Sequence, residues 1–234
     1  MRIVVLGAKN PETFRMIDAI QASEVQKWGE RRSEFVGFID NNPALHGKLL
    51  SGMPVFGGFE VLGRLVSDGC VFVNTITGSA LSRYETSQEI LDQGGELINF
   101  LHPYADPSLE RGMGKYVQGN VCLQAEVTIG DNTAINVGCI VAHETRIGHS
   151  CFLAPGVVIT GEVQVDDGVL IGANATILPR LKIGRWATIG AGAVVTKDVP
   201  PGAVVAGNPG RIIGHNEMRH IDGCLRQGKR HVQD

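Results

Sequence analysis

From Val117 to Val195 every sixth residue is Val, Leu or Ile, fourteen times without an insertion. Four residues after each of these stands, with few exceptions, a small or β-branched residue, Thr133, Cys139, Thr145, Cys151 and Val157 among them. Six is neither the roughly 3.6-residue period of a helix nor the two-residue alternation of an ordinary strand. A repeat of this length predicts short strands separated by regular corners and stacked as a parallel β-helix, with the aliphatic column inside. Gly follows the aliphatic residue five times, at Gly130, Gly148, Gly172, Gly184 and Gly190, and is expected to permit the turn.

Ahead of the repeat the pattern is different. Ile3 to Leu6 is a short apolar run ending in Gly7, which predicts a buried parallel strand feeding a turn. Pro11 suits the first turn of a helix whose stripe is Phe14, Met16, Ile17 and Ile20. Gln26 to Ser33 predicts an exposed connection, and Phe35 to Ile39 a second strand stopped by Asp40-Asn41-Asn42-Pro43. Val55 and Phe56 are a short extended piece; Phe59–Val66 and Leu81–Leu91 predict helices, and Val71–Val73 and Leu97–Leu101 strands. This alternation predicts a small Rossmann-like α/β domain with a parallel sheet over residues 1–101. His102 to Pro107 carries two prolines and marks the crossing into an all-β domain at 102–214. Residues 215–234 are polar and basic, expected as a loose tail or a short helix.

Composition narrows the function classes. A net charge of −3 gives no case for nucleic acid or a membrane surface as partner. Five cysteines, an odd number without C-x-x-C spacing, make a disulfide framework or a zinc knuckle a poor reading. Cys139 and Cys151 fall in the inward small-residue column, and thiols used as core filler imply a reducing compartment. The first apolar run is too short for a signal peptide, and no stretch approaches a membrane span. A cytoplasmic protein is expected.

Gly7 and Asp40 invite a nucleotide reading. A glycine between strand and helix can leave room for phosphate, and an acidic residue after the second strand can take a ribose hydroxyl. The loop Gly7-Ala8-Lys9-Asn10-Pro11 has one glycine and no G-x-G-x-x-G, so a Gly-terminated strand and a capping Asp explain it equally well.

Coils of three hexapeptides followed by Val195 to Gly214 (VTKDVPPGAVVAGNPGRIIG) resemble the left-handed β-helix acyltransferases that use acetyl-CoA. The order of domains is similar to the branch holding the nucleotide-sugar N-acetyltransferases of the bacillosamine and perosamine type and the sialic acid O-acetyltransferases. Gly37 to Asn42 resembles that branch's strand-end segment contacting the nucleotide base, and Thr75 to Gly78 with Arg83 its next binding loop. Asn136 followed by His143-Glu144 matches its catalytic stretch, with the same gap from Asn to His. The resemblance implies His143 as general base, Glu144 as its partner, Asn136 as an acceptor contact and Gly161 as an oxyanion donor. It implies no bound metal and acetyl-CoA as co-substrate, lying along the β-helix between subunits of a homotrimer. Ala173, Gly190 and Ala191 are small positions where a ligand could approach the backbone, and Lys197 and Arg211 are candidates for its phosphates. Gly7, Asp40, Asn41, Gly78, Arg83 and Phe152 are the candidate acceptor residues, Phe152 standing where members often have a second His.

The chemistry suits these residue types. An amine or hydroxyl must lose a proton as it attacks a thioester, and His is the usual base. A neighbouring carboxylate fixes its tautomer, and a backbone N–H can meet the oxyanion. Three classes compete: a sugar N- or O-acetyltransferase, a β-helix metalloenzyme of the γ-carbonic anhydrase kind using His102, His143 and His149, and a non-catalytic scaffold.

Overall fold

The computed structural model describes residues 1–216. The N-terminal unit contains β1 (Arg2–Leu6), α1 (Pro11–Trp28), β2 (Glu34–Ile39), β3 (Leu49–Leu50), β4 (Met53–Gly57), α2 (Leu62–Ser67), β5 (Val71–Asn74), α3 (Ala80–Asp92) and β6 (Glu96–Leu97). Its sheet runs β3-β4-β2-β1-β5-β6 and is parallel except for the β3–β4 pair. Local chemistry fixes α1. Asn10 Oδ1 accepts the Glu12 N–H, Pro11 opens the first turn, and Gly29 ends the helix in the left-handed conformation. Alternate residues of β1 feed two cores: Val4 and Leu6 pack with Leu62, Leu65 and Ile90, and Ile3 and Val5 pack with Met16 and Ile17.

The predicted strand over Leu97–Leu101 divides between the two domains. Glu96–Leu97 pairs with β5, whereas β7 (Phe100–Leu101) pairs with Tyr116–Val117 and is the first rung of the second domain. One apolar run thus serves two sheets, which is why it reads as continuous in sequence.

The rest is a three-faced parallel β-helix of two-residue strands. Ala134 lies opposite Phe152, Ile140 opposite Val158 and Arg146 opposite Gln164, so one coil takes 18 residues and three corners. The inward column and the small second column form one continuous core, with Thr133, Cys139, Thr145, Cys151 and Val157 all at 0% exposure.

The corners correct the expectation for glycine. The left-handed residues come three after each aliphatic from Val117 to Ile189: Asn120, Glu126, Asn132, Gly138, Glu144, Ser150, Gly156, Glu162, Gly168, Asn174, Arg180, Trp186 and Gly192. Gly130, Gly148, Gly172, Gly184 and Gly190 are not among them. Those glycines serve close stacking instead. A Cβ on Gly130 would stand 2.6 Å from the Gly148 carbonyl carbon, and one on Gly172 would stand 2.5 Å from Ala191 N.

The three outer faces differ. One carries Tyr116, Ala134 and Phe152, buried against the α/β domain in the same cluster as Ile3, Val5 and Phe100. The second presents Thr128, Arg146, Gln164 and Lys182, all exposed. The third presents Cys122, Ile140, Val158, Thr176 and Val194, largely apolar and uncovered. A hairpin of Ala203–Ala206 and Arg211–His215 closes the first face, and Asn216 Nδ2 donates to Trp186 O and Thr188 Oγ1. His215 therefore belongs to a strand; the rest of the expected tail, 217–234, lies outside the described residues.

Stacking makes a prediction. A Cβ on Gly168 would stand 2.3 Å from the Trp186 ring at φ +70°, while Gly192, at φ +67°, has open space. Gly192→Ala should cost about 1 kcal/mol for left-handed strain, and Gly168→Ala roughly 2–4 kcal/mol because overpacking adds to it. Thermal denaturation of the two variants checks the order.

Candidate active site

The edge between the apolar and the charged face carries His143 and Glu144. Val141 points inward and the chain turns at once, so residue 143 projects outward. Glu144 takes the left-handed conformation, φ 58°, and its N–H donates to Ala125 O of the preceding coil at 2.9 Å. The turn brings His143 Nδ1 within 3.0 Å of Glu144 Oε2. A carboxylate has no proton to give, so Nδ1 carries the hydrogen and Nε2 presents its lone pair. With both side chains about half exposed, at 53% and 55%, the pair orients the ring more than it stabilises the fold.

Neighbouring coils set the rest of the geometry. Gln124 Oε1, one coil earlier, accepts the His143 N–H at 3.1 Å. Gly161, one coil later, lies against the ring: a Cβ there would stand 2.7 Å from Nε2 and Cε1. Only glycine leaves the imidazole this position. Glu162 N donates to His143 O at 2.9 Å, which ties the two coils at the site.

Lys197 lies on the same edge. Val194–Val195 pairs with Thr176–Ile177 and Val199 bridges Ile183, so residues 196–198 form its last corner. That corner is three coils beyond His143, roughly 14 Å at the usual strand spacing. Lys197 and Arg211 together line a cleft of about 320 Å³ there, with Thr196, Val205 and Ile212. Ala173, Gly190 and Ala191 lie on a different edge, between the apolar face and the face under the α/β domain. Asn136 is on that edge too. It is buried, and its Nδ2 donates to Leu153 O at 2.7 Å.

In the α/β domain the strand order reverses beside β1, with β2 on one side and β5 on the other. Such a switch point opens a crevice at the carboxyl ends of the strands. Gly7, at φ 96°, and Gly78, at φ 94°, sit in the two loops that border it. Asp40 spends its carboxylate on the fold: Oδ2 accepts from Ala8 N at 3.0 Å and Oδ1 from Asn42 N at 2.9 Å. Asn41 Oδ1 accepts from Phe59 N.

The comparisons with known proteins bear on this arrangement. Residues 126–161 and 162–197 match the family model described as bacterial transferase hexapeptide (six repeats). Perosamine N-acetyltransferase from Caulobacter crescentus, solved as a variant with CoA and GDP-perosamine, is similar at 25% identity and TM-score 0.69, over 92% of this chain and 97% of that one. The fold is that of the left-handed β-helix acetyltransferases. The acetyltransferase domain of PglB from Neisseria gonorrhoeae, solved with acetyl coenzyme A, matches at 24% identity and TM-score 0.73, over 91% and 98% of the two chains. WeeI from Acinetobacter baumannii matches at 24% and 0.69, over 91% and 100%. None of the curated proteins matches the chain.

Two expected acceptor residues lie elsewhere in this acetyltransferase fold. Arg83 is fully buried, and its guanidinium donates to the carbonyls of Asn74, Ile76, Gly114 and Asn132. Its donors are committed to the main chain, and no surface is left for a ligand. Phe152 is buried on the face beneath the α/β domain, in one cluster with Tyr116 and Trp186, so it packs the domains together and lines no open pocket. Sequence reasoning missed Gln124. The signal was available, because a coil of 18 residues places position 124 beside 142 and 143.

Among the described residues no group of three His, Cys, Asp or Glu side chains could hold a metal ion. No helix among them is long and apolar enough to cross a membrane. Burial pushes the Cys139 thiol up to about 11 and the Cys151 thiol up to about 12. Both therefore stay protonated at neutral pH, and the thiol is the unreactive form. Iodoacetamide at pH 8 should leave both unmodified in the folded protein and label them once urea unfolds it, as read by peptide mass mapping.

Proposed function

We propose that the chain is an acetyl-CoA-dependent acetyltransferase whose acceptor is an amino sugar carried on a nucleotide. The observation that carries this reading is the half-exposed imidazole of His143, oriented by Glu144, with Nε2 against Gly161. Around it, the residues fit both substrates. The edge offers a glycine floor at the imidazole and two cations about three coils away, a span suited to a thioester at one end and phosphates at the other. The α/β crevice between the Gly7 and Gly78 loops suits a nucleotide. The similar enzyme from Caulobacter crescentus was solved with CoA and GDP-perosamine, which supports the pairing of these two ligand classes.

Acetyl-CoA supplies an activated acyl group. His143 Nε2 takes the proton that the acceptor nitrogen sheds as it bonds to the thioester carbonyl carbon, and returns it to the departing sulfur as the C–S bond breaks, so that the coenzyme leaves as the thiol. Glu144 holds the ring through Nδ1 and stabilises the imidazolium. The Gly161 main-chain N–H is the proposed donor to the oxyanion. Asn136, on the other edge with its amide donating to Leu153 O, would come near the acceptor only from a neighbouring chain.

We also propose a homotrimer with the site between chains. The apolar face ends at the His143 edge, and a copy seated on that face would wall the imidazole and bring the edge of Ala173, Gly190 and Ala191 close to a neighbour's His143. Buried thiols in the core agree with a reducing, cytoplasmic setting.

With GDP-perosamine and acetyl-CoA as substrates, His143→Ala should lower kcat by roughly 10²–10⁴ and leave acetyl-CoA affinity unchanged. Gly161→Ala should lower kcat as well, because the added methyl displaces the ring, with little change in thermal midpoint. Unimpaired turnover in His143→Ala would refute the mechanism. Transfer to a sugar hydroxyl alone would recast the acceptor class. Light scattering should return three times the chain mass of 25.0 kDa; an active monomer would remove the shared site.

A further inference from the structure

A buried polar network runs from the α/β crevice into the β-helix, and Arg83 is its hub. At the crevice, Thr75 Oγ1 donates to Leu6 O at 2.8 Å, and Ile76 N donates to Asn74 Oδ1 at 2.9 Å. The Asn74 amide donates to Arg83 O and Ser87 Oγ. Arg83 Nη1 donates to Asn74 O at 2.6 Å and Ile76 O at 3.3 Å. The other side of the same guanidinium grips the β-helix, Nη2 on Gly114 O at 2.6 Å and Nε on Asn132 O at 2.8 Å. Ser87 Oγ adds a bond to Asn132 Oδ1, and Asn132 Nδ2 passes it on to Ser150 Oγ in the next coil.

Filling space does not call for an arginine here. A buried guanidinium without a carboxylate among these acceptors carries a desolvation cost, which its bonds to four main-chain carbonyls offset. What the arginine supplies is a planar fork that meets carbonyls of three separate segments at fixed angles. One of those segments, Asn74 to Gly78, is a wall of the crevice. The other two, Gly114 and Asn132, belong to the corner column of the solenoid.

We propose that Arg83 is a positioning residue that locks the Asn74–Gly78 wall of the crevice in register with the β-helix, so that an acceptor bound at the crevice is aimed along the solenoid. Its kinetic consequence rests on the transferase reading; its structural consequence does not. Loss of the fork frees the wall, which raises the acceptor KM while leaving the acetyl-CoA KM alone, since the donor edge touches none of these residues.

Arg83→Lys keeps the charge but replaces the fork with a point donor. Hydrogen exchange needs no substrate. In Arg83→Lys the amides of Thr75 and Ile76 should exchange about tenfold faster, the effect of one or two lost hydrogen bonds, while the strands from Leu153 to Ile177 keep their protection. In turnover the acceptor KM for GDP-perosamine should rise with the acetyl-CoA KM unchanged. Ser87→Ala, a milder cut in the same network, should move both readouts in the same direction and less. Unchanged exchange at Thr75 and Ile76, or an equal acceleration along the whole chain, overturns the proposal and leaves Arg83 a purely stabilising residue. A wild type that does not acetylate GDP-perosamine counts against the proposed acceptor, and the exchange result still decides the role of Arg83.

Discussion

The close stacking of successive coils is the constraint on which the rest of this molecule depends. Main-chain hydrogen bonds such as Ile140 N to Val157 O at 2.9 Å set the rise from coil to coil, about 4.8 Å in a sheet. At that rise, whatever occupies one corner sits directly on the same corner of the next coil. The chain meets this with three demands per hexapeptide: an inward aliphatic, a small residue behind it, and a left-handed residue at the bend. Glu126, Glu144, Glu162, Arg180 and Trp186 meet the last demand without being glycine, each at a cost of about 1–2 kcal/mol offset by the hydrogen bonds around it. A side chain that lies over the neighbouring coil needs a glycine there, as Gly168 gives Trp186 and Gly161 gives His143.

Much of this was legible in the sequence because the inward columns obey a strict period. The solenoid and its 18-residue coil follow from residues whose spacing is dictated by stacking, whereas the pairing of His143 with Glu144 was implied by the resemblance. The corner conformations were not legible. Glycines after the aliphatic looked like turn formers, yet they are spacers, since a bend and a close approach both select for a missing Cβ. Arg83 and Phe152 misled for a different reason. Arg83 was named because its segment resembles a binding loop and Phe152 because relatives often have a second His there, and only the docking of the α/β domain shows that both are covered. Such docking couples residues far apart in the chain, like Arg83 and Asn132, and no local pattern records it.

The three faces divide the labour of the domain. The face under the α/β unit is apolar and roofed by it, the second is charged and solvated, and the third is apolar with no cover among the described residues. The candidate base sits on the boundary between the second and third, where a side chain can be held by main-chain geometry on one flank and stay open on the other. The α/β crevice, where we propose the nucleotide binds, is attached to the first. Crevice and solenoid are joined there by an apolar cluster and by the buried bonds of Arg83 and Ser87.

The shortened last coil carries a further consequence. The register drops from 18 residues to 16 where Thr188 pairs with Val204 and Ile183 with Val199, and the hairpin ending at His215 then stops the solenoid. The number of whole turns between His143 and that stop is thus a fixed length, counted in units of one β-strand spacing. On the proposed reading the scaffold is a gauge: adding or deleting a turn would leave the base and its glycine untouched, yet shift the cationic end by one increment against a donor of constant size. Donor selection would then be written in the tally of repeats, a property that no single residue holds.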